Sequence, residues 1–437
     1  MDTGLLTDHY ELTMIGAALA SGAAGRRTVF EMFARHLSGR RRYGVVAGTG
    51  RFLDALARFR FPAGEIGYLR AAGIIDEQAA GYLARYRFSG NIWGYAEGDC
   101  YFPGSPILVV DAPFAEAVVL ETLALSIFNH DCAIASAAAR MVTAAGHRPI
   151  IEMGSRRTHE YAAVAAARAA YLAGFASTSN LRAGYEFGVP TAGTSAHAFT
   201  MVHDDEQQAF EVQVRSLGPE TTLLVDTYDV ARAVRTAVDV AGPGLGAVRI
   251  DSGDFAETAR AVRAQLDALG AVQTRIVVTG DLDEHSIAAL ASTPVDGYGV
   301  GTALVTGSGV PTAALVYKLV ARAGRSGELE PVAKQSVGKP TIGGRKWALR
   351  RLDEHGTAAA EVIATSQPPD GAPLPGHRAL LRPLVRKGEI IGREPIAAAR
   401  DRHRRALAEL PRQALRLSPG DPVIPTLIGP PAGPAGR

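Results

Sequence analysis

The chain has 437 residues, of which 47% are hydrophobic and 21% charged, a composition typical of a folded globular protein with a large core. A net charge of +2 with scattered arginines excludes a nucleic-acid-binding stripe, and no uninterrupted apolar run is long enough to span a membrane. Cys100 and Cys132 form neither a disulfide framework nor a zinc spacing, and no signal peptide is visible, so we expect a reducing, cytoplasmic location.

The N-terminal part of the chain predicts a small α+β domain, which we assign to residues 1–120. An Ala-rich helix near the start carries Tyr10 in its first turn. Residues 86–110 combine closely spaced glycines and prolines with short apolar runs, which predicts antiparallel strands joined by turns. Residues 113–145 are Ala-rich and predict helical structure.

Beyond Arg148 short β-rich runs alternate with helical stretches such as 229–241, 254–269 and 283–291. This alternation predicts parallel strands covered by helices. About seven units fit an α/β barrel, irregular or incomplete, better than an open sheet, and we assign residues 121–320 to it. The seven runs are 149–153, 174–177, 189–193, 222–225, 247–250, 275–278 and 297–300.

Each of these runs ends at polar residues or glycines, which a barrel would gather at one face. Arginines at such ends suit carboxylates and phosphates, glycines before a helix suit phosphates, and aspartates suit ribose hydroxyls or a Mg²⁺-bearing diphosphate. Asp254 fits equally well as the N-cap of the next helix. The strand-end residues are Glu152, Arg156, Arg157, Thr178, Ser179, Asn180, Thr194, His197, Asp226, Arg249, Asp251, Asp254, Gly280, Gly301 and Thr302.

The C-terminal part is less informative. The pattern predicts a helix from 310 to Ala321, a hairpin-like region to Leu352 containing 334–339 and 343–346, an exposed loop at 364–376 and a helix at 396–416. We assign 321–437 to a region that packs back on the other domains, with a mobile tail from about residue 418.

Eight motifs along the chain together resemble the nicotinate phosphoribosyltransferase family, in the family's order and over most of residues 5–350. The Thr-Ser-Ala-His element ending at His197 and the Arg-x-Asp-Ser-Gly-Asp element starting at Arg249 are the most specific. The motifs lie at 6–10, 97–98, 121–122, 154–157, 193–197, 248–254, 279–281 and 299–302.

The resemblance implies a type II phosphoribosyltransferase, with a small α/β domain beside an irregular α/β barrel and a homodimer with the site near the interface. It implies that nicotinate and 5-phosphoribosyl 1-diphosphate give nicotinate mononucleotide and diphosphate in NAD salvage. The reaction would need Mg²⁺ and be coupled to hydrolysis of ATP as co-substrate.

The resemblance also implies roles for individual residues. His197 matches the histidine that the family phosphorylates from ATP, and we expect Arg249 and Asp251 to be catalytic beside it. Met153 stands where the family commonly has an aromatic residue, which we expect to alter packing and not the reaction. The expected substrate-binding residues are Tyr10, Thr194 and Arg249 for nicotinate, Arg156 near both ligands, Asp254, and Thr302 with Gly280 and Gly301 for phosphate.

Three alternatives remain. A quinolinate or nicotinamide phosphoribosyltransferase would share the fold, and an assay with all three bases separates them. A non-catalytic nucleotide-binding barrel is disfavoured because an inactive site has no physical reason to keep so many charges. A barrel isomerase or aldolase would need a lysine or carboxylate base at a central strand end, and no lysine stands at any of them.

Overall fold

The computed structural model describes residues 2–334, 342–365 and 375–429. The chain forms two compact units, one made of Met1–Ala133 with Val310–Arg437 and the other of Ile134–Gly309. The sequence prediction placed boundaries at 120 and 320 and a C-terminal region packing back on the other domains, whereas the structure divides the chain after Ala133 and after Gly309. The C-terminal segment joins the N-terminal one in a single unit, which is therefore the larger of the two and not the smaller.

The first segment holds five strands and five helices, followed by a sixth helix that continues past the end of the unit. In chain order they are α1 (His9–Ala20), β1 (Arg27–Ala34), a 3-10 turn (Ser38–Arg40), β2 (Gly44–Val45), α2 (Thr49–Leu56), α3 (Ala63–Ala71), α4 (Glu77–Ala84), β3 (Asn91–Tyr95), β4 (Cys100–Tyr101), β5 (Leu108–Pro113), α5 (Phe114–Val118) and α6 (Glu121–Ala145).

The second unit alternates strands and helices. Its elements are β6 (Ile150–Glu152), α7 (Glu160–Leu172), β7 (Ser177–Thr178), α8 (Leu181–Phe187), α9 (His197–Met201), α10 (Glu206–Leu217), β8 (Thr222–Leu224), α11 (Val230–Ala241), β9 (Ala247–Ile250), α12 (Phe255–Ala268), β10 (Arg275–Gly280), α13 (Glu284–Ala289), a 3-10 turn (Leu290–Ser292), β11 (Gly297–Val300) and α14 (Thr302–Val305).

The remaining segment returns to the first unit and is mostly β. Its described elements are β12 (Leu315–Ala323), β13 (Leu329–Pro331), β14 (Trp347–Leu352), β15 (Ala358–Ala364), β16 (His377–Ala379), β17 (Leu381–Arg386), β18 (Glu389–Ile390), α15 (Ile396–Ala408), a 3-10 turn (Arg412–Leu415) and β19 (Thr426–Ile428).

A seven-stranded antiparallel sheet, in the order β13-β12-β1-β5-β3-β17-β18, forms the centre of the first unit. Strand β12 pairs with β1 from Leu315 to Arg322, so the helix predicted from 310 to Ala321 is wrong. Leu315, Tyr317 and Val320 are buried and set the pairing, because the tertiary context of a half-buried sheet overrides local helix propensity. The predicted antiparallel strands within 86–110 are confirmed by the pairing of β3 with β5.

The tail predicted to be mobile makes backbone hydrogen bonds in its described part, up to Gly429. Strand β19 pairs in parallel with Glu361–Ile363 of β15, and the amide of Gly420 donates to the carbonyl of Arg40 at 2.9 Å. Backbone pairing of this kind holds a terminal segment in place. The last residues, 430–437, lie outside the described residues, as do 335–341 of the predicted hairpin-like region and 366–374 of the predicted loop.

The second unit contains a six-stranded parallel sheet in the order β7-β6-β11-β10-β9-β8. Strand β6 pairs with the last strand, β11, so the sheet curls back on itself as in a barrel, but no ladder joins β7 to β8. The predicted incomplete α/β barrel is thereby confirmed. The predicted strand at 189–193 reduces to one bridge, between Thr191 and Thr178, and α8, α9 and α10 occupy the chain between β7 and β8.

One stretch of helix among the described residues, Phe114–Ala145, has the length and composition to cross a membrane, and 67% of its most apolar window is buried in the protein. A helix of this composition is also typical of a buried protein core. In the sequence no uninterrupted apolar run is long enough to span a membrane, and Glu121, Asn129 and Arg140 interrupt the apolar residues of this helix.

Candidate active site

A cavity of about 230 Å³ lies at the carboxyl ends of strands β6, β10 and β11. Six of the strand-end residues predicted from sequence line it, namely Arg156, Arg157, Asp251, Gly280, Gly301 and Thr302. The other lining residues are Met153, Thr279, Asp281 and Gly299. Cations, hydroxyls and glycine backbone therefore share one small polar space at the end of a parallel sheet, where barrel enzymes bind their substrates.

Two glycines are required by close packing around this cavity. A Cβ on Gly299 would lie 2.5 Å from Cγ2 of Thr279 and 2.7 Å from the sulfur of Met153. A Cβ on Gly154 would lie 2.2 Å from Cγ1 of Val305. Met153, which departs from the family pattern, thus packs against the floor of the cavity.

The acidic side of the site is a chain of hydrogen bonds between strand ends. Asp251 accepts from the hydroxyl of Thr279. Oδ2 of the buried Asp226 accepts from the amide of Asp251 at 2.9 Å and from the hydroxyl of Ser252 at 2.7 Å. These hydrogen bonds fix the position of Asp226 relative to Asp251, which lines the cavity.

His197, which lies in the chain between β7 and β8, contacts the carboxylate of Asp226. It begins α9, its Nδ1 lies 3.1 Å from the hydroxyl of Thr227, and its Nε2 lies 3.9 Å from Oδ1 of Asp226. The ring is half-buried, so one edge is held by the protein while part of it reaches solvent. The contacts connect His197 to the cavity through Asp226 and Asp251.

Arg249 lies in strand β9 and donates from its Nη1 to the hydroxyl of Thr194. Burial lowers the pKa of the guanidinium, Asp251 and Asp226 raise it, and the positive charge of Arg156 lowers it further. Its buried Nε has no hydrogen-bond partner among the described residues. Arg249 is thus a partly desolvated cation with a donor still available.

Two predicted residues stand apart from this group. Asp254 caps α12, accepting from the amides of Ala256 and Glu257 at 3.0 Å, and it does not line the cavity. Tyr10 belongs to the other unit, in the first turn of α1, where it is 43% exposed. Burial and nearby Glu121 raise the pKa of Tyr10 to about 12, so its hydroxyl stays protonated at neutral pH.

Asp226 and Glu152 were noticed in the sequence only as polar strand ends, yet each makes several contacts. Asp226 accepts from two donors besides facing His197, and Glu152 is fully buried at the end of β6. The available signal was a carboxylate inside the run 149–153 and another directly after the run 222–225, because a buried charge needs partners.

An open α/β barrel whose strand ends collect arginines, aspartates and glycines around a polar cavity defines an enzyme that binds a phosphate-bearing substrate. Residues 5–129 match the N-terminal domain of nicotinate phosphoribosyltransferase, and residues 134–310 match the C-terminal domain of quinolinate phosphoribosyl transferase.

Two curated relatives are similar over most of the chain. Nicotinate phosphoribosyltransferase pncB1 of Mycobacterium tuberculosis (strain CDC 1551 / Oshkosh) is 58% identical over 431 residues, covering 97% of this chain and 94% of that protein. Nicotinate phosphoribosyltransferase of Bacillus subtilis (strain 168) is 35% identical over 362 residues, covering 80% of this chain and 73% of that protein.

The crystal structure of human nicotinic acid phosphoribosyltransferase superposes with a TM-score of 0.82 at 25% identity, covering 97% of each chain. The chain belongs to the nicotinate phosphoribosyltransferase family, and the resemblance drawn from its motifs is confirmed.

Proposed function

We propose that the protein transfers the phosphoribosyl group of 5-phosphoribosyl 1-diphosphate to nicotinate, giving nicotinate mononucleotide and diphosphate for NAD biosynthesis. The observation that carries this proposal is the position of Arg249. The guanidinium of Arg249 is largely buried, and its Nε has no hydrogen-bond partner among the described residues. Its charge interacts with that of Arg156, which lines a small polar cavity of a size that suits a phosphate group. A carboxylate and a sugar phosphate can therefore be bound side by side.

The bond changes require little proton transfer. The lone pair of the pyridine nitrogen forms the bond to the anomeric carbon while the bond from that carbon to the diphosphate oxygen breaks. Arg156 and Arg157 stabilise the leaving diphosphate, because positioned cations act most strongly where charge develops. Thr302 with the backbone at Gly280 and Gly301 holds the sugar phosphate.

Selection among pyridines follows from charge. The guanidinium of Arg249 favours the carboxylate of nicotinate over the neutral amide of nicotinamide, and Thr194 orients it through their hydrogen bond. The contact of Tyr10 with the pyridine ring, which the resemblance implies, stays a prediction. Asp254 caps α12 through one carboxylate oxygen, and its predicted contact with the substrate stays a prediction.

Mg²⁺ fits this site as an ion that is bound with the substrate. Among the described residues no three His, Cys, Asp or Glu side chains are grouped to hold a metal. Asp251 and Asp281 line the cavity, and Mg²⁺ commonly binds one or two carboxylates together with substrate phosphates. When bound, the ion neutralises charge on the diphosphate.

His197 is the proposed phosphoacceptor for ATP. A ring nitrogen forms a bond to the terminal phosphorus as the bond to the ADP oxygen breaks, and water later releases phosphate. The added group carries about two negative charges, which would lie near Arg249 and Asp226. Phosphorylation thus changes the charge at the mouth of the cavity and links ATP hydrolysis to substrate binding.

The protein is proposed to act as a homodimer in the cytoplasm. The chain between β7 and β8 carries three large apolar side chains that are each more than 75% exposed, namely Leu181, Tyr185 and Val202. Exposed apolar side chains of this kind suit a surface that is covered by a second copy of the chain.

The test is product formation from nicotinate, quinolinate and nicotinamide with 5-phosphoribosyl 1-diphosphate, combined with labelling by γ-³²P-ATP. We expect nicotinate to be the only one of the three bases that is consumed, giving nicotinate mononucleotide. We also expect an acid-labile phosphate on the protein that disappears in His197→Ala. Turnover of quinolinate instead of nicotinate would overturn the assignment. Activity with nicotinate but without label would remove only the phosphohistidine.

A further inference from the structure

Glu152 is a carboxylate buried completely among neutral groups. It ends strand β6 with no exposed surface. One carboxylate oxygen accepts from the amide of Gly154 and the other from the hydroxyl of Thr178. Burial raises the pKa of this carboxyl, and the two hydrogen bonds lower it. Burying such a group is costly, and an apolar side chain would fill the space more cheaply.

The contacts of Glu152 form part of a closed ring. The hydroxyl of Thr178 also accepts from the amide of Asn180 at 2.9 Å, and the side-chain amide of Asn180 donates to the hydroxyl of Ser155 at 3.0 Å. Ser155 follows Gly154, whose amide Glu152 holds. The ring therefore fastens the turn after β6 to the turn after the neighbouring strand β7.

The turn after β6 carries the two arginines of the cavity. Its backbone closes through the amide of Arg157, which donates to the carbonyl of Gly154 at 2.8 Å. Gly154 is also confined from the other side, because a side chain there would overlap Val305. Arg156 and Arg157 line the cavity from this turn, so a shift of Gly154 would move both guanidinium groups.

We propose that Glu152 is a positioning residue, which acts with Thr178 and Asn180 to hold the 154–157 turn so that Arg156 and Arg157 face the diphosphate of the sugar substrate. This inference rests on the proposed function, because it takes 5-phosphoribosyl 1-diphosphate as the ligand of the cavity. Glu152 itself does not line the cavity. Its effect should therefore fall on the binding of one substrate and spare the other.

The experiment compares Glu152→Gln and Thr178→Val with the wild-type enzyme by steady-state kinetics. An amide cannot accept from both donors, and valine removes one of them. We expect KM for 5-phosphoribosyl 1-diphosphate to rise about tenfold, the factor expected for one hydrogen bond to a charged group. The KM for nicotinate should stay within about twofold, whereas kcat should fall together with the affinity for the sugar diphosphate, because the same arginines stabilise the leaving diphosphate. Thr178→Ser keeps the hydroxyl and should restore wild-type values.

Glu284→Gln is the matched control for loss of a buried carboxylate. Glu284 is also buried in this unit, but it pairs with Arg140 at 2.9 Å and Ser308 at 2.7 Å, none of which lines the cavity. It should lower the melting temperature without changing either KM. An equal rise of KM in this control, or unchanged KM values in Thr178→Val, would overturn the positioning role.

Calorimetric titration with 5-phosphoribosyl 1-diphosphate alone separates the two hypotheses. A wild-type protein that binds the sugar diphosphate but makes no nicotinate mononucleotide contradicts the proposed function, while the Kd of the Thr178 variants still tests the positioning role. An active wild-type enzyme whose Kd is the same in Thr178→Val and Thr178→Ser contradicts the positioning role alone.

Discussion

The carboxylate of Asp226 lies 3.9 Å from Nε2 of His197, and the carboxylate is buried while the ring is 38% exposed. The buried carboxylate and the hydroxyl of Thr227 contact the two ring nitrogens and thereby fix the orientation of the imidazole. Because Asp226 also accepts from the amide of Asp251, it couples the histidine to the cavity.

Asp226→Asn should slow phosphorylation of His197 by about tenfold or more, because a charge-assisted contact is lost. The measurement is the initial rate of acid-labile labelling from γ-³²P-ATP. Asp239→Asn, on the exposed face of α11, is the control and should label at the wild-type rate. Equal rates in both variants would show that Asp226 has no part in phosphorylation.

Arg249→Met should raise KM for nicotinate by about 10- to 100-fold, since a hydrogen bond to a charged group contributes about 1.5–3 kcal/mol. The discrimination between nicotinate and nicotinamide should narrow at the same time, because the selecting charge is gone. Competition kinetics with both bases measures it. The comparison variant is Arg235→Met, an exposed arginine on α11. Preserved discrimination in Arg249→Met would place the carboxylate elsewhere.

Gly299→Ala should destabilise the barrel by about 1–3 kcal/mol, the usual cost of overpacking. It should also weaken binding of 5-phosphoribosyl 1-diphosphate, because the new methyl group overlaps Thr279 and Met153 at the cavity floor. Urea denaturation and calorimetry measure the two effects. Gly244→Ala meets no atom within 4 Å and should change neither. Wild-type binding by Gly299→Ala would mean that the floor relaxes freely.

His403 should make stability depend on pH. Burial lowers its pKa from 6.5 to about 4, and its Nδ1 lies 3.1 Å from the carbonyl of Gly98. The folded state therefore favours the neutral ring. The contribution of His403 to the free energy of unfolding is fully present above pH 6.5. It is lost as the pH falls towards 4, and the loss is on the order of 3 kcal/mol over that window.

Urea denaturation at pH 7 and pH 5 tests this expectation. His403→Gln should lose less stability than the wild-type protein between the two values, whereas His147→Gln, at an exposed position, should follow the wild type. An identical loss in His403→Gln and wild type would show that other groups set the acid limit.

The sequence predicted the barrel strands well where a short apolar run lies between two amphipathic helical stretches. Strands β9 and β11 fall on the predicted runs 247–250 and 297–300, because short apolar runs between amphipathic helices have few other solutions. The pairing of β1 with β12 was not predictable, since the two strands lie far apart in the chain and local helix propensity misassigned β12. The division of the chain after Ala133 and after Gly309 was not predictable for the same reason.

The candidate site was predicted in part. Strand-end position identified Arg156, Asp251 and the glycines, because parallel strands end at one face. The same rule could not separate Asp254, which caps a helix, from Asp251, which lines the cavity. Nor could it show that Asp226 connects His197 to Asp251, because that depends on distances across three turns.

Strands β7 and β8 are the two edges of the six-stranded sheet, so the chain between them is not held by pairing in that sheet. An inserted residue within β9 or β10 would turn every following side chain of that strand to the opposite face. Between Thr191 and Thr222 no ladder imposes such a penalty, and His197 lies in this interval. Side-chain contacts with Thr227, Asp226 and Arg249, and not strand register, therefore hold the segment that carries the histidine.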